Sequence, residues 1–326
     1  MRAIVVNQPG PPEMLEIQER PLPVTRSGWV RIRVRAFGIN RSELFTRQGH
    51  SGVAVQFPRV LGIECVGEVD DPADSHLRQG QTVAAVMGGM GRDFDGSYAE
   101  YCLLPLTQIM PVNTRLSWPE LAALPESYLT AWGCLVDALQ VRAGHYVVIR
   151  GGSSSVGMAS IALARNLGCM VAATTRNPQK FDTLKAAGAD YVMLDGGEIA
   201  LLIEQTFGRG ADRILDLIGT GTLCDSLRSV TRQGVVCMAG MLGGQWAFEQ
   251  FEPVVAIPST VRLTAYTTHI VTAANSTARL QWLVEQAENG RIPLNIDRQF
   301  LFEDIVSAHG YMEHNLACGK LVVMTA

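Results

Sequence analysis

Between residues 145 and 239 the chain alternates short unbroken apolar runs with segments of helical periodicity. The runs are 145–150 (HYVVIR), 169–174 (CMVAAT), 190–194, 212–217 (DRILDL) and 234–239 (GVVCMA), and the helical segments are 155–167, 178–187, 197–207 and 221–230. Strands that are apolar at nearly every position, and not at every second one, have both faces covered. Helices placed between such strands do the covering, so the pattern predicts an α/β fold with a doubly wound parallel sheet.

The first of these strands runs into Gly152-Ser153-Ser154-Ser155-Val156-Gly157. Gly152, Ser154 and Gly157 occupy the three glycine places of a G-x-G-x-x-G turn, which lays a pyrophosphate on the N-terminus of the following helix. The first glycine makes the turn and the last lets helix and strand approach. The serine at the middle place holds the phosphate slightly farther off, and its hydroxyl is expected to donate a hydrogen bond to it. Ala159, Ala162 and Ala164 keep the helix slim. Residues 152–157 are therefore candidates to hold a dinucleotide.

The second strand ends in Thr174-Thr175-Arg176. An NAD site usually places an acid here for the ribose hydroxyls. This chain has Thr175 and Arg176, with Lys180 one turn into the next helix. Cations attract a 2′-phosphate that an acid would repel, so the expected cofactor is NADPH. Gly219 follows the fourth strand and Gly240-Met241 the fifth, where they are expected to line the cofactor groove.

Outside this region the pattern differs. Residues 2–6, 29–36, 63–69, 81–87 and 98–104 read as short strands broken by Gly and Pro, a barrel-like antiparallel pattern. A helix is expected from Trp118 to about residue 139, with Ser117 as N-cap and Pro119 in its first turn. Past residue 267 come a helix at 275–289, a strand near 299–301, a helix at 303–314 and a strand at 320–324 (KLVVM). The expected division is a β-rich domain from 1–119 and 267–326, and a dinucleotide domain from 120–266.

The bulk numbers exclude other classes. A net charge of −4 gives no footprint for nucleic acid or an anionic membrane, and no apolar run reaches the length of a membrane span. The opening MRAIVVNQPG lacks the features of a signal peptide, so a soluble, cytoplasmic chain is expected. The seven cysteines are scattered and suit neither a disulfide framework nor a zinc module.

A β-rich N-terminal part, a dinucleotide fold and a C-terminal return resemble the medium-chain dehydrogenase/reductase superfamily over essentially the whole chain. Residues 36–49 (AFGINRSELFTRQG), 61–68 (LGIECVGE), 124–133 (LPESYLTAWG) and 303–323 carry the resemblance. It implies a Rossmann domain beside a chaperonin-10-like (GroES-like) substrate domain. Where zinc alcohol dehydrogenases have a metal-binding cysteine, histidine and third ligand, this chain has Asn40, Ile63 and Glu126, with Glu64 retained, and it lacks the four-cysteine structural lobe. It is therefore similar to the zinc-independent quinone oxidoreductase branch and to enoyl reductases, with no metal.

In that branch an asparagine at the place of Asn40 lies near nicotinamide and substrate, followed by an acid and an arginine, here Glu43 and Arg47. Asn40 is expected to donate its amide hydrogen to the developing oxyanion, or alternatively to cap its turn. Glu43 and Arg47 are either catalytic or pair with each other along a helical turn. Phe45 and Ser51 stand where relatives carry hydroxyl donors, and His50 is an alternative. Thr130 is expected near the nicotinamide. The resemblance implies an NADPH-dependent reductase acting on a quinone or an activated alkene, as a homodimer paired through the strand at 261–267. An NADPH-binding protein without turnover and a zinc alcohol dehydrogenase are the alternatives.

Overall fold

In a computed structural model, residues 1–325 are described. The chain divides into two compact units: one comprises Met1–Leu129, Thr268–Gly290 and the chain from Ile296 onward, and the other Thr130–Thr267 with Arg291–Asn295.

The first unit begins with strands β1 (Arg2–Val6), β2 (Leu15–Glu19) and β3 (Trp29–Ile39), then helix α1 (Arg41–Arg47). Strands β4 (Arg59–Val60), β5 (Glu64–Asp71), β6 (Thr82–Val86), β7 (Tyr101–Pro105) and β8 (Ile109–Pro111) follow, and then helices α2 (Trp118–Ala122) and α3 (Pro125–Trp132). The expected single helix from residue 118 is split, because the ring of Pro125 removes a backbone donor and disfavours helix before it. Beyond α3 the backbone makes a π-helical turn over Gly133–Ala138. At the start of α2 the Glu120 carboxylate accepts from the Ser117 backbone N–H at 2.8 Å and from its hydroxyl at 2.6 Å, which satisfies the expected N-cap.

The second unit contains β9 (Tyr146–Arg150), α4 (Ser155–Asn166), β10 (Met170–Thr175), α5 (Phe181–Ala186), β11 (Tyr191–Leu194), α6 (Ala200–Phe207), β12 (Ala211–Asp216), α7 (Thr220–Arg228), β13 (Val230–Met238), the short α8 (Pro253–Ala256) and β14 (Arg262–Ala265). Its sheet has the order β11-β10-β9-β12-β13-β14, with every pair parallel. The order reverses between β9 and β12, which places a crevice at the carboxyl ends of those strands. Val148, Ala172, Ile214 and Val236 pack with Ile203 and Leu227 into this unit's core.

The chain returns to the first unit with α9 (Ala273–Glu288), β15 (Ile296–Leu301), α10 (Ile305–Glu313) and β16 (Lys320–Met324). The main sheet there runs β15-β16-β3-β5-β6-β8, with β7 also paired to β3, and a smaller sheet runs β2-β1-β4. The last strand is thus stitched onto the third by antiparallel pairs such as Val322 with Gly38. Among the described residues no helix is long and apolar enough to cross a membrane.

Gly157 sits where α4 passes closest to the turn after β9. A Cβ at that position would lie 2.5 Å from the Gly151 carbonyl oxygen and 2.6 Å from that of Gly152. Both neighbours are backbone and cannot rotate away. Gly157→Ala is expected to lower stability by about 1–3 kcal/mol, read as a lower denaturation midpoint. An unchanged midpoint would contradict the close packing described here.

Candidate functional site

In the first unit, Asn40, Glu43 and Arg47 are placed by α1, with Asn40 as the extended N-cap residue of that helix. All three are buried, Arg47 completely. Around them the fold gathers two further charged groups, Glu64 at the start of β5 and Lys320 at the start of β16, each also buried. The Lys320 ammonium pairs with Glu64 Oε1 and donates to Asn40 Oδ1 at 2.7 Å. Glu64 Oε2 accepts the Glu126 backbone N–H at 2.8 Å. Room for the pair comes from Gly38 on β3, where a Cβ would fall on the Lys320 side chain and on Glu64 Oε1.

This geometry corrects the expectation for Asn40. A lysine ammonium only donates, so the side-chain oxygen of Asn40 must face it. The amide nitrogen then faces the carboxylates, donating to Glu64 Oε1 at 2.9 Å and to Glu43 Oε1 at 3.3 Å. Both amide hydrogens are committed inside the protein, and neither is left for a substrate oxygen.

The alternative of a Glu43–Arg47 pair is not formed. Arg47 Nη2 donates to Glu313 on α10 at 2.6 Å, and its Nε donates to the Gly10 carbonyl at 3.1 Å. Ion pairing follows Glu313, which meets the guanidinium from α10. Glu43 instead accepts the Ile63 backbone N–H at 3.3 Å through the oxygen that faces Asn40. Its other oxygen, Oε2, is buried with no hydrogen-bond partner. Burial, reinforced by the nearby Glu64 charge, pushes the Glu43 carboxyl up to about 8. At neutral pH it is therefore a neutral acid.

Two buried groups beside these were not singled out in the sequence. Tyr98 and His309 meet at 3.0 Å. Burial, followed by the Arg47 charge, pushes His309 down to about 3, so its ring is neutral. Burial and the Glu43 and Glu64 charges hold the Tyr98 phenol well above its ordinary value. Neither group is poised to give up or take a proton. His50, the alternative donor, is exposed and stands edge-on to Phe45, and the Ser51 hydroxyl lies 2.9 Å from that of Thr46.

In the second unit the loop after β9 has the expected strand–turn–helix context. Gly151 adopts φ +84°, and Gly152 is packed against β10, where a Cβ would lie 3.0 Å from that of Ala173. Ser154 departs from expectation. Its hydroxyl accepts the Gly157 N–H at 3.1 Å and donates to the Gly151 carbonyl at 2.9 Å, so it caps α4 and its hydrogen is spent within the loop. Ser153, Ser155 and Val156 are half-exposed on the same turn. The free N–H groups and positive end of the α4 dipole remain to face an anion.

At the end of β10, Thr175 is buried, its hydroxyl accepting the Asn177 N–H at 3.2 Å. Arg176 is exposed, and Lys180 is half-buried in the turn before α5. Gly219 has φ +109°, and a Cβ on Gly240 would lie 2.5 Å from the Leu217 carbonyl oxygen. The loops after β12 and β13 therefore touch backbone to backbone, with the half-exposed Met241 beside them. Thr130 is buried on α3. Among the described residues no cluster of three or more His, Cys, Asp or Glu side chains is arranged to hold a metal ion.

Comparison with known proteins agrees with the fold of both units. Residues 26–114 match the alcohol dehydrogenase GroES-like domain, and residues 187–323 match the zinc-binding dehydrogenase domain. The quinone oxidoreductase of Mus musculus is 29 % identical over 251 residues, 74 % of each chain. The structure of the quinone oxidoreductase from Coxiella burnetii superimposes with a TM-score of 0.86 at 26 % identity, covering 100 % of this chain and 99 % of that one. A mycobacterial protein solved in complex with NADPH shares the fold with a TM-score of 0.88 at 24 % identity, covering 100 % of both chains.

The Glu43 carboxyl has a testable consequence. Its folded value near 8 lies above the ordinary 4.5, so the folded state holds a proton that the unfolded chain has lost between those values. The contribution of this group to stability is greatest below 4.5 and falls as pH rises toward 8. Glu43→Gln is expected to flatten that decline, giving a denaturation midpoint less dependent on pH than that of the unaltered protein. Identical pH profiles for the two proteins would contradict a neutral Glu43.

Proposed function

Because the chain belongs to the medium-chain dehydrogenase/reductase superfamily and is quinone oxidoreductase-like, we propose that it is an NADPH-dependent reductase that works without a metal, on a quinone or an electron-poor alkene. The observation that carries this reading is the closed circuit of Asn40, Glu64, Glu43 and Lys320. These contacts hold Asn40, Glu64 and Lys320 on one another, and the one carboxylate oxygen among them without a partner, Glu43 Oε2, is buried. Such a site suits an acceptor that is already a good oxidant and whose product takes its proton from solvent, and a quinone is the better match.

Zinc does not fit these residues. A catalytic zinc site takes three protein ligands drawn mainly from thiolate, imidazole and carboxylate. At the corresponding positions Ile63 has no donor atom, the Asn40 oxygen faces Lys320, and Glu126 is a single carboxylate. The Lys320 ammonium adds positive charge at the same place and would repel a second cation.

A nicotinamide dinucleotide fits the second unit, and when bound it supplies the hydride. The backbone at Gly152–Gly157 and the N-terminus of α4 would hold its pyrophosphate. Thr175, Arg176 and Lys180 would hold the 2′-phosphate, and Thr130, Gly219, Gly240 and Met241 would border the rest. The exposed Arg176 and the absence of an acid at the end of β10 support NADPH over NADH, as does the NADPH held by the mycobacterial neighbour. In the first unit Asn40, Glu43 and Arg47 act by position: they fix α1 against β5, β16 and α10, and so shape the substrate face.

The direct test is oxidation of NADPH by a panel of simple quinones and enones. Reduction of quinones with NADPH, and much less with NADH, is the expected result. Tight NADPH binding without reduction of any acceptor would leave a dinucleotide-binding protein without turnover. Charge-assisted hydrogen bonds contribute about 1.5–3 kcal/mol each, so Arg176→Ala is expected to weaken NADPH binding at least about tenfold and leave NADH binding nearly unchanged. Equal affinity of the unaltered protein for both cofactors would contradict the assignment.

A further inference from the structure

Arg150 is the last residue of β9 and is completely buried in the second unit. Every nitrogen of its guanidinium is used. Nε and Nη2 grip Asp195 at 2.9 and 3.0 Å, a two-pronged pair, and Nη2 also donates to the Gly197 carbonyl at 2.7 Å. Nη1 reaches Asp225 at 2.7 Å, the Ser226 hydroxyl at 3.0 Å and the Thr222 carbonyl at 3.2 Å. An apolar residue would fill this space more cheaply, since burying charges carries a large desolvation cost. The network has to be explained by where it leads.

It leads to both loops of the crevice. An arginine can only donate, which forces a direction on every hydroxyl downstream. On one arm, Asp195 Oδ2 accepts from the Thr174 hydroxyl at 2.9 Å. Having spent its hydrogen there, Thr174 Oγ1 accepts the Gly151 N–H at 3.2 Å, at the start of the glycine turn. On the other arm, Ser226 receives from Arg150 and so donates to Asp216 Oδ2 at 2.7 Å. Asp216 Oδ1 then accepts the Ile218 N–H at 2.9 Å and the Gly219 N–H at 3.1 Å, at the turn into α7. Although burial opposes ionisation of Asp195, the Arg150 contacts and the Gly197 N–H hold its carboxyl below the ordinary range, which keeps the first arm charged.

We infer that Arg150 is a positioning residue for the dinucleotide cradle, fixing the turn after β9 and the turn after β12 relative to each other through two one-way hydrogen-bond relays. The inference rests on the reading that these turns hold a nicotinamide dinucleotide. Because the relays end at the turns and not at the 2′-phosphate residues, they act on the part that NADPH and NADH share.

The test is direct binding of NADPH and of NADH, by fluorescence titration, to the unaltered protein and to Arg150→Lys, Thr174→Val and Ser226→Ala. Thr174→Val and Ser226→Ala each cut one relay with little change of shape, and they carry the test if Arg150→Lys fails to fold. Each is expected to weaken both dinucleotides by the same factor, about three- to tenfold per relay, and to raise the KM for cofactor while kcat at saturation stays nearly constant. A purely structural role would lower the denaturation midpoint and leave the affinity of the folded fraction intact; that result overturns the inference. A loss confined to NADPH overturns it too, because it would place the effect at the 2′-phosphate. An unaltered protein that binds neither dinucleotide would instead overturn the underlying reading of the cradle.

Discussion

The first unit depends on one buried ammonium. Lys320 enters on the last strand, far in sequence from its partners, and meets Glu64 and Asn40 where no solvent reaches. Removing either member of such a buried pair typically costs about 3–5 kcal/mol, because the survivor stays buried and unpaired. The pair also settles the states of its neighbours. Lys320 fixes the Asn40 amide, the amide presents its hydrogens to Glu64 and Glu43, and the charge on Glu64 helps to keep Glu43 neutral. Gly38 is required beneath it because β3 has to pass without a side chain.

The second unit is built on the same device with other residues. Arg150 lies at the carboxyl end of a central strand, as Lys320 lies at the start of one, and both are sealed from solvent. In each unit a buried cation orders polar side chains and backbone amides around it, and the order is passed on to a loop or a helix start. A low local dielectric strengthens these hydrogen bonds and makes their loss costly, which favours one arrangement over many.

How much of this could be read from the sequence follows from what periodicity reports. Unbroken apolar strands report burial on both faces, so the parallel sheet and its helices were legible, and so was the glycine turn, whose context is local. The N-cap of α2 at Ser117 was legible for the same reason, and the Glu120 carboxylate that closes on it came from the structure. Partners across long stretches of chain were not. Lys320 reads as the polar start of an apolar strand, and Arg150 as the polar end of one; nothing nearby names Glu64 or Asp195 as their partners. Asn40 was found, but its role depends on which way its amide points, and only Lys320 decides that. Glu43 and Arg47 have the spacing of a helical pair, yet Glu313 lies closer to the arginine fork in space. Ser154 was placed in the right loop, while its hydrogen bond went to the Gly151 carbonyl instead of outward.

The central proposal is that the site around Lys320, whose ammonium is committed to Glu64 and Asn40, works without a metal. It is tested most directly by measuring zinc per chain, by elemental analysis, in protein purified with zinc present and then freed of loosely bound ions. The expected result is no stoichiometric zinc. One zinc ion retained per chain would mean that Lys320, Asn40 and Glu64 do not close the site as described, and would contradict the account.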